Sequence, residues 1–135
     1  MERYTDLHTH SVASDGTKTP TEIVLLAKES GLTSIALTDH DTIDGLKEFK
    51  EAGETYGIET IPGIEFAAAY KNTELHIVGL FIDTENKKLL ESMEFIVKER
   101  NERNEKMIKA LNRLGMDITL EELEENAGGN IITRA

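Results

Sequence analysis

Short β-like runs alternate with amphipathic helical stretches from Tyr4 to Tyr70, and this alternation restricts the possible folds more than any other feature of the sequence. It is the signature of βαβ units and a parallel sheet. The first strand is expected over about Tyr4 to His8. A loop through Ser11 to Lys18, containing Asp15-Gly16, leads into Thr19-Pro20-Thr21-Glu22. There Thr19 suits the helix N-cap, Pro20 the first helical position and Glu22 the reciprocal capping partner. Ile23, Leu26 and Ala27 mark the apolar face of that helix, Gly31 falls where a left-handed residue past the helix end belongs, and Thr33 to Thr38 reads as the second strand. A second helix is expected from Asp41 or Thr42, burying Leu46 and Phe49 and closed by Gly57. Pro62-Gly63 interrupts a third strand, Ile58 to Ile61, and Ile64 to Tyr70 continues it or forms a separate one. Leu75 to Ile82 reads as another buried strand. From about Lys87 to Leu114 the period turns helical, and Thr119-Leu120-Glu121-Glu122 opens a short further helix with a second capping box.

A chain of 135 residues fits one small domain or a piece of a larger one. Asp and Glu outnumber Lys and Arg by 26 to 15, a formal charge of −11 that opposes non-specific attraction to a nucleic-acid backbone or an anionic membrane. Recognition of any phosphate group must therefore be local, and neither a stable nucleic-acid complex nor membrane association is expected. The sequence has no Cys, so there is no thiolate ligand, no cysteine nucleophile and no disulfide. No apolar run approaches the length of a signal segment or membrane span, and a soluble, cytoplasmic protein is expected.

Asp6-Leu7-His8-Thr9-His10 sets three polar side chains at alternate positions, so that in a strand they project from one face. Three such groups together can hold a metal ion. The mixture of imidazole and carboxylate suits manganese, zinc or iron better than calcium, which prefers oxygen alone. Two surface imidazoles at a strand end would read the same way taken alone, but further matches follow along the chain. Asp39-His40-Asp41 ends the second strand, Glu65 follows Pro62-Gly63-Ile64, and His76 lies in the fourth strand. Every His thus falls at or near the expected C-terminal end of a successive parallel strand, the rim on which barrel-type α/β folds assemble their sites.

Asp6-Leu7-His8-Thr9-His10-Ser11, Ser14-Asp15-Gly16, Leu37-Thr38-Asp39-His40-Asp41-Thr42, Pro62-Gly63-Ile64-Glu65 and His76-Ile77-Val78-Gly79 closely resemble, in order, the successive motifs of the polymerase and histidinol phosphatase (PHP) family. The resemblance is closest to its stand-alone phosphoesterases acting on nucleotides, which include 3′,5′-bisphosphate nucleotide phosphatases and 5′-end exoribonucleases. It implies the first part of a distorted (β/α)7 barrel over residues 1–83, a helical insertion over 84–130, and the start of a new barrel segment at 131–135. It also implies a cluster of two or three divalent ions, manganese, iron or zinc. His8 and His10 would hold one ion, with Glu65 bridging to another. Asp15 and His40 would serve a further ion, and His76 would join Glu65 on the third. For Asp6, Asp39 and Asp41 the expected roles are to orient an imidazole from behind or to cap a helix. The family continues for about as many residues again and supplies further His and Asp ligands there. A half barrel would leave strand edges and apolar surface uncovered, with self-association as one consequence.

Substrate contacts are less clearly marked. Met93, Val97, Arg100, Asn104, Met107, Leu111 and Leu114 form one helical face, in which Arg100 and Asn104 interrupt an apolar stripe. Two readings stand: the pair covers the core by snorkelling and bending, or it turns to the site and grips a second phosphate or a base. Arg134 is a further phosphate candidate, because the resemblance places a metal-binding His directly after it. The chemistry implied is hydrolysis of a nucleotide-type phosphate ester by a metal-bound hydroxide, with no protein nucleophile. Gly-x-Ser-x-Gly, Gly-x-Gly-x-x-Gly and Walker patterns are all missing from the sequence. The alternatives are a non-catalytic metal-binding module, a histidinol-phosphatase-like activity and a polymerase-associated exonuclease.

Overall fold

The computed structural model of the chain describes residues 3–127. Four strands curl into a half-barrel sheet in the order β1 (Tyr4–Thr9), β2 (Leu32–Leu37), β3 (Glu59–Tyr70), β4 (Thr73–Leu80). Helices α1 (Pro20–Glu29) and α2 (Leu46–Tyr56) connect the first three strands, and α3 (Lys87–Arg113) and α4 (Leu120–Ala127) follow the sheet. The α/β architecture expected from the sequence is therefore present.

The local signals work as their chemistry requires. Thr19 Oγ1 accepts from the backbone N–H of Glu22, and the Glu22 carboxylate accepts from the backbone N–H of Thr19, so two otherwise unpaired donors are satisfied at the start of α1. The same exchange between Thr119 and Glu122 opens α4. β1, β2 and β3 lie parallel, with Thr5 opposite Ser34 and Ile35 opposite Thr60. On one face of the sheet, Ile23, Val24 and Ala27 of α1 and Leu46, Phe49 and Ala52 of α2 close over Ile35 and Leu37. Each large side chain buried there stabilises the fold by about 1.5–3 kcal/mol.

Several expectations need correction. β4 is antiparallel to β3 and does not continue the parallel set. Tyr70 and Thr73 are register partners, which leaves Lys71-Asn72 as a two-residue turn, far too short for a parallel crossover. Lys71 adopts φ 55°, the left-handed geometry that such hairpins demand. β3 runs unbroken through Pro62: the strand pairs with β2 as far as Pro62 and with β4 from Gly63 onward. The proline, with no N–H to give, stands where the ladder changes partner. α2 begins at Leu46, because Asp41 takes φ 49° and residues 41–45 form a turn. Leu26 is exposed and Val24 takes its place in the core. On α3 the buried residues are Arg100, Asn104 and Ile108, while Met107 and Leu114 face solvent, so the most deeply packed stretch is around 100–108.

Candidate metal centre

Backbone hydrogen bonds carry the parallel ladder past the formal strand ends and thereby place the site. Thr38 N–H donates to Thr9 O, Glu65 N–H donates to Asp39 O, and Asp41 N–H donates to Glu65 O, at 2.9, 3.1 and 3.0 Å. The segments after β1 and β2 and the middle of β3 are thus held side by side. His76, opposite Ala67 in the hairpin, reaches the same place from mid-strand and not from a strand end.

Glu65 is the hub. Its side chain is only 4% exposed, and one carboxylate oxygen, Oε2, lies 2.7 Å from His8 Nε2, 3.0 Å from His10 Nε2 and 3.7 Å from His40 Nε2. The other, Oε1, lies 2.7 Å from His76 Nδ1. All four imidazoles are therefore gathered on one acid, with successive ring centroids 5.0, 4.6 and 5.2 Å apart in the order His8, His10, His40, His76. Asp15 adds a second carboxylate, 3.6 Å from His10 Nδ1 and 3.5 Å from His40 Nε2.

Three groupings bring their donor atoms within 4.8 Å of one another: His8, His10 and Glu65; His10, Asp15 and His40; and His40, Glu65 and His76. Donors at about 2.1 Å from a shared ion lie roughly 3–4 Å apart, the spacing of His10 and His40 from Glu65 and Asp15, while His8 and His76 stand in closer hydrogen-bond contact with Glu65 at 2.7 Å. The second grouping gives the sharper test. His10 Nδ1 is buried with no hydrogen-bond partner, and both imidazole distances to Asp15 are too long for a hydrogen bond. A buried, unmatched acceptor facing a carboxylate is costly unless a cation lies between them. The donor set fits divalent ions of the manganese, iron and zinc type.

The electrostatics differ from group to group. Burial pushes the Glu65 carboxyl up, but hydrogen bonds from His8 and His76 and the charges of His40 and His8 outweigh it and hold the group below its ordinary range. Burial pushes His40 down against the upward pull of Glu65 and Asp15, which favours the neutral imidazole that metals require. His76, half exposed, is pushed up by its hydrogen bonds to Glu65 and Glu74.

The remaining acidic residues have other partners. Asp6 Oδ1 accepts from the backbone N–H of His8 at 3.1 Å and belongs to none of the three groupings. Asp39 is buried and takes three bonds of 2.6 Å, from Ser11 N–H, Ser11 Oγ and Ser14 Oγ. It ties down the loop that presents His10 and Asp15. Asp41, 1% exposed at its side chain, forms an ion pair with Arg100 of α3. Ser11, Ser14 and Gly16 are supports that the sequence reading gave no role. A Cβ at Gly16 would come within 2.3 Å of the His10 carbonyl oxygen, so the turn closes only around glycine. The signal was present in Ser14-Asp15-Gly16, but loop contacts cannot be read from spacing. Arg134 lies outside the described residues.

Comparison with known proteins identifies the fold family: the model of the PHP domain matches residues 6–126. The chain belongs to the PHP family. As a PHP chain it is 34% identical over 131 residues to the 5′-3′ exoribonuclease Rnm of Escherichia coli, covering 96% of this chain and 45% of that protein. It is 38% identical over 111 residues to the 3′,5′-nucleoside bisphosphate phosphatase of Chromobacterium violaceum, covering 82% and 39%. A crystal structure from Bifidobacterium adolescentis, put forward as a metal-dependent phosphoesterase, superposes with a TM-score of 0.85 at 30% identity, covering 93% of this chain and 43% of that one. The PHP chain thus spans less than half the length of these relatives. No helix among the described residues is long and apolar enough to cross a membrane.

Proposed function

We propose that this chain is the N-terminal metal-binding part of a phosphoesterase that hydrolyses a nucleotide-type phosphate ester. The observation that carries the reading is the convergence of His8, His10, His40 and His76 on the buried Glu65, with Asp15 closing a further grouping. The exoribonuclease and bisphosphate phosphatase relatives support a nucleotide or short oligonucleotide as the substrate class.

In this proposal His8, His10 and Glu65 would hold one divalent ion, Asp15 and His40 would serve a second, and His76 would join Glu65 on a third. Ions bound there would lower the pKa of a water toward neutrality and offset the charge of phosphate oxygens. The chain's own residues supply the arrangement. Glu65 contributes a carboxylate favoured in its ionised form by its imidazole neighbours, Asp39 fixes the Ser11–Ser14 loop that presents Asp15, and burial favours the neutral form of His40. No protein nucleophile is needed. An acidic chain can accept an anionic substrate because the charge that matters is local. Whereas the Arg100 guanidinium is engaged by Asp41, Asn104 and Arg134 belong to the same proposal as substrate contacts. So does the division into a barrel segment over 1–83 and a helical insertion over 84–130.

The test is phosphate release by the purified chain with manganese, from adenosine 3′,5′-bisphosphate, a short RNA and histidinol phosphate, each with a chelator control. Chelator-sensitive release from the first two substrates is the expected result. Metal bound without release from any substrate would favour the non-catalytic module.

A further inference from the structure

α3 spans 27 residues, yet its buried residues are Arg100, Asn104 and Ile108. Alongside this contact a groove of about 740 Å³ separates the helix from the turn after β2, lined by Asp41, Thr42, Leu90, Met93, Val97 and Asn101 among others. At this groove Arg100 crosses from the helix to Asp41. Asp41 is itself unusual. It follows His40 directly, is almost completely buried, and holds φ 49°, in the left-handed region that Asp and Asn visit more readily than other non-glycine residues. Two contacts hold Asp41 in place here: its N–H donates to Glu65 O at 3.0 Å, and its carboxylate pairs in charge with the Arg100 guanidinium.

We propose that the Arg100–Asp41 pair is a positioning contact that docks α3 onto the turn carrying His40, so that the order of the helix and the geometry of the metal cluster depend on each other. Asp39, His40 and Asp41 are consecutive. Asp39 is anchored to the loop after β1, His40 enters the imidazole cluster, and Asp41 is anchored to α3. Losing the last anchor frees the turn to leave its left-handed conformation and lets His40 move off Asp15 and Glu65. By reciprocity, an ion that fixes His40 also stiffens the turn and through it α3. The coupling to metal rests on the ligand assignment proposed above, whereas the docking contact itself does not.

Hydrogen exchange on the full chain separates the two. Without metal, Arg100→Met and Asp41→Asn should each raise exchange in α3 by about tenfold or more while leaving α1 and β2 unchanged. The double variant should be no worse than either single one, because both remove the same contact. Arg100→Lys, which keeps the charge and loses the planar fork, should restore part of the protection. With manganese added, α3 should gain protection in the native chain and not in Arg100→Met, which should bind the ion roughly tenfold more weakly by titration calorimetry. Unchanged α3 exchange in both single variants, or a rise spread evenly over α1, β2 and α3, would overturn the proposal. Absence of manganese binding by the native chain would overturn the metal reading instead, and the metal-free comparison would still decide the docking contact.

Discussion

Glu65 and Asp39 show how two buried carboxylates in one site take opposite kinds of partner. Glu65 faces four imidazoles and belongs to two of the three candidate ion groupings, so replacing it removes a donor from both at once. Glu65→Gln keeps the volume and removes the charge. It should weaken manganese binding by more than the roughly 10–100-fold typical of residues that merely support a ligand, with far-ultraviolet circular dichroism unchanged. Retention of full metal content would refute the assignment. Asp39 instead accepts three short hydrogen bonds from Ser11 and Ser14. Asp39→Asn turns an amide N–H₂ toward one of those donors and should cost about 1–3 kcal/mol in urea unfolding, with metal content falling as the loop loosens. An unchanged midpoint would mean that the loop is held by other means.

Among the elements, β3 does the most to organise the site, because it serves two partners. Its first part extends the parallel sheet, its second part is half of a hairpin, and Glu65 lies just past the hand-over, where it meets His40 on one side and His76 on the other. The approach of α2 to this strand is set by Gly53. A Cβ there would stand 2.4 Å from Thr60 Cγ2 and 2.8 Å from Ile58 O, and the backbone oxygen cannot move aside. Gly53→Ala should therefore destabilise the protein by about 1–3 kcal/mol despite the better helix propensity of alanine. A stabilising effect in thermal or denaturant melts would show that the contact relaxes easily.

At the scale of the whole molecule, β1 and β4 are the outer strands of a sheet that does not close among the described residues. Apolar side chains lie along both: Tyr4 and Leu7 on β1, Leu75 and Ile77 on β4, all at least 43% exposed. Unpaired edges with apolar flanks recruit further strands. The purified chain should therefore self-associate with rising concentration in sedimentation experiments, and Ile77→Lys, a charge on the edge, should shift it toward monomer. A native chain that stays monomeric throughout would show that the edges are protected.

Local chemistry was legible in the sequence alone. The capping boxes at Thr19 and Thr119 and the helix stop at Gly57 depend on residue type and short spacing, and the candidate ligands His8, His10, Asp15, His40, Glu65 and His76 were marked by the family resemblance. The PHP motifs were legible for the same reason, since each is a short run of neighbouring residues. Contacts between segments distant in sequence were decided by the tertiary structure. Asp39 and Asp41 differ by two positions, yet one turns to Ser11 and Ser14 and the other to Arg100. Their spacing matches neither the partner loop nor the partner helix, so nothing local distinguishes them. The direction of β4 falls between these cases. Its two-residue turn was in the sequence, but only a paired strand shows that Pro62-Gly63 marks a change of partner and not a break. Short-range hydrogen bonding and side-chain identity act before the chain is packed, whereas the partner of a buried carboxylate is set by which segments the curled sheet brings within reach.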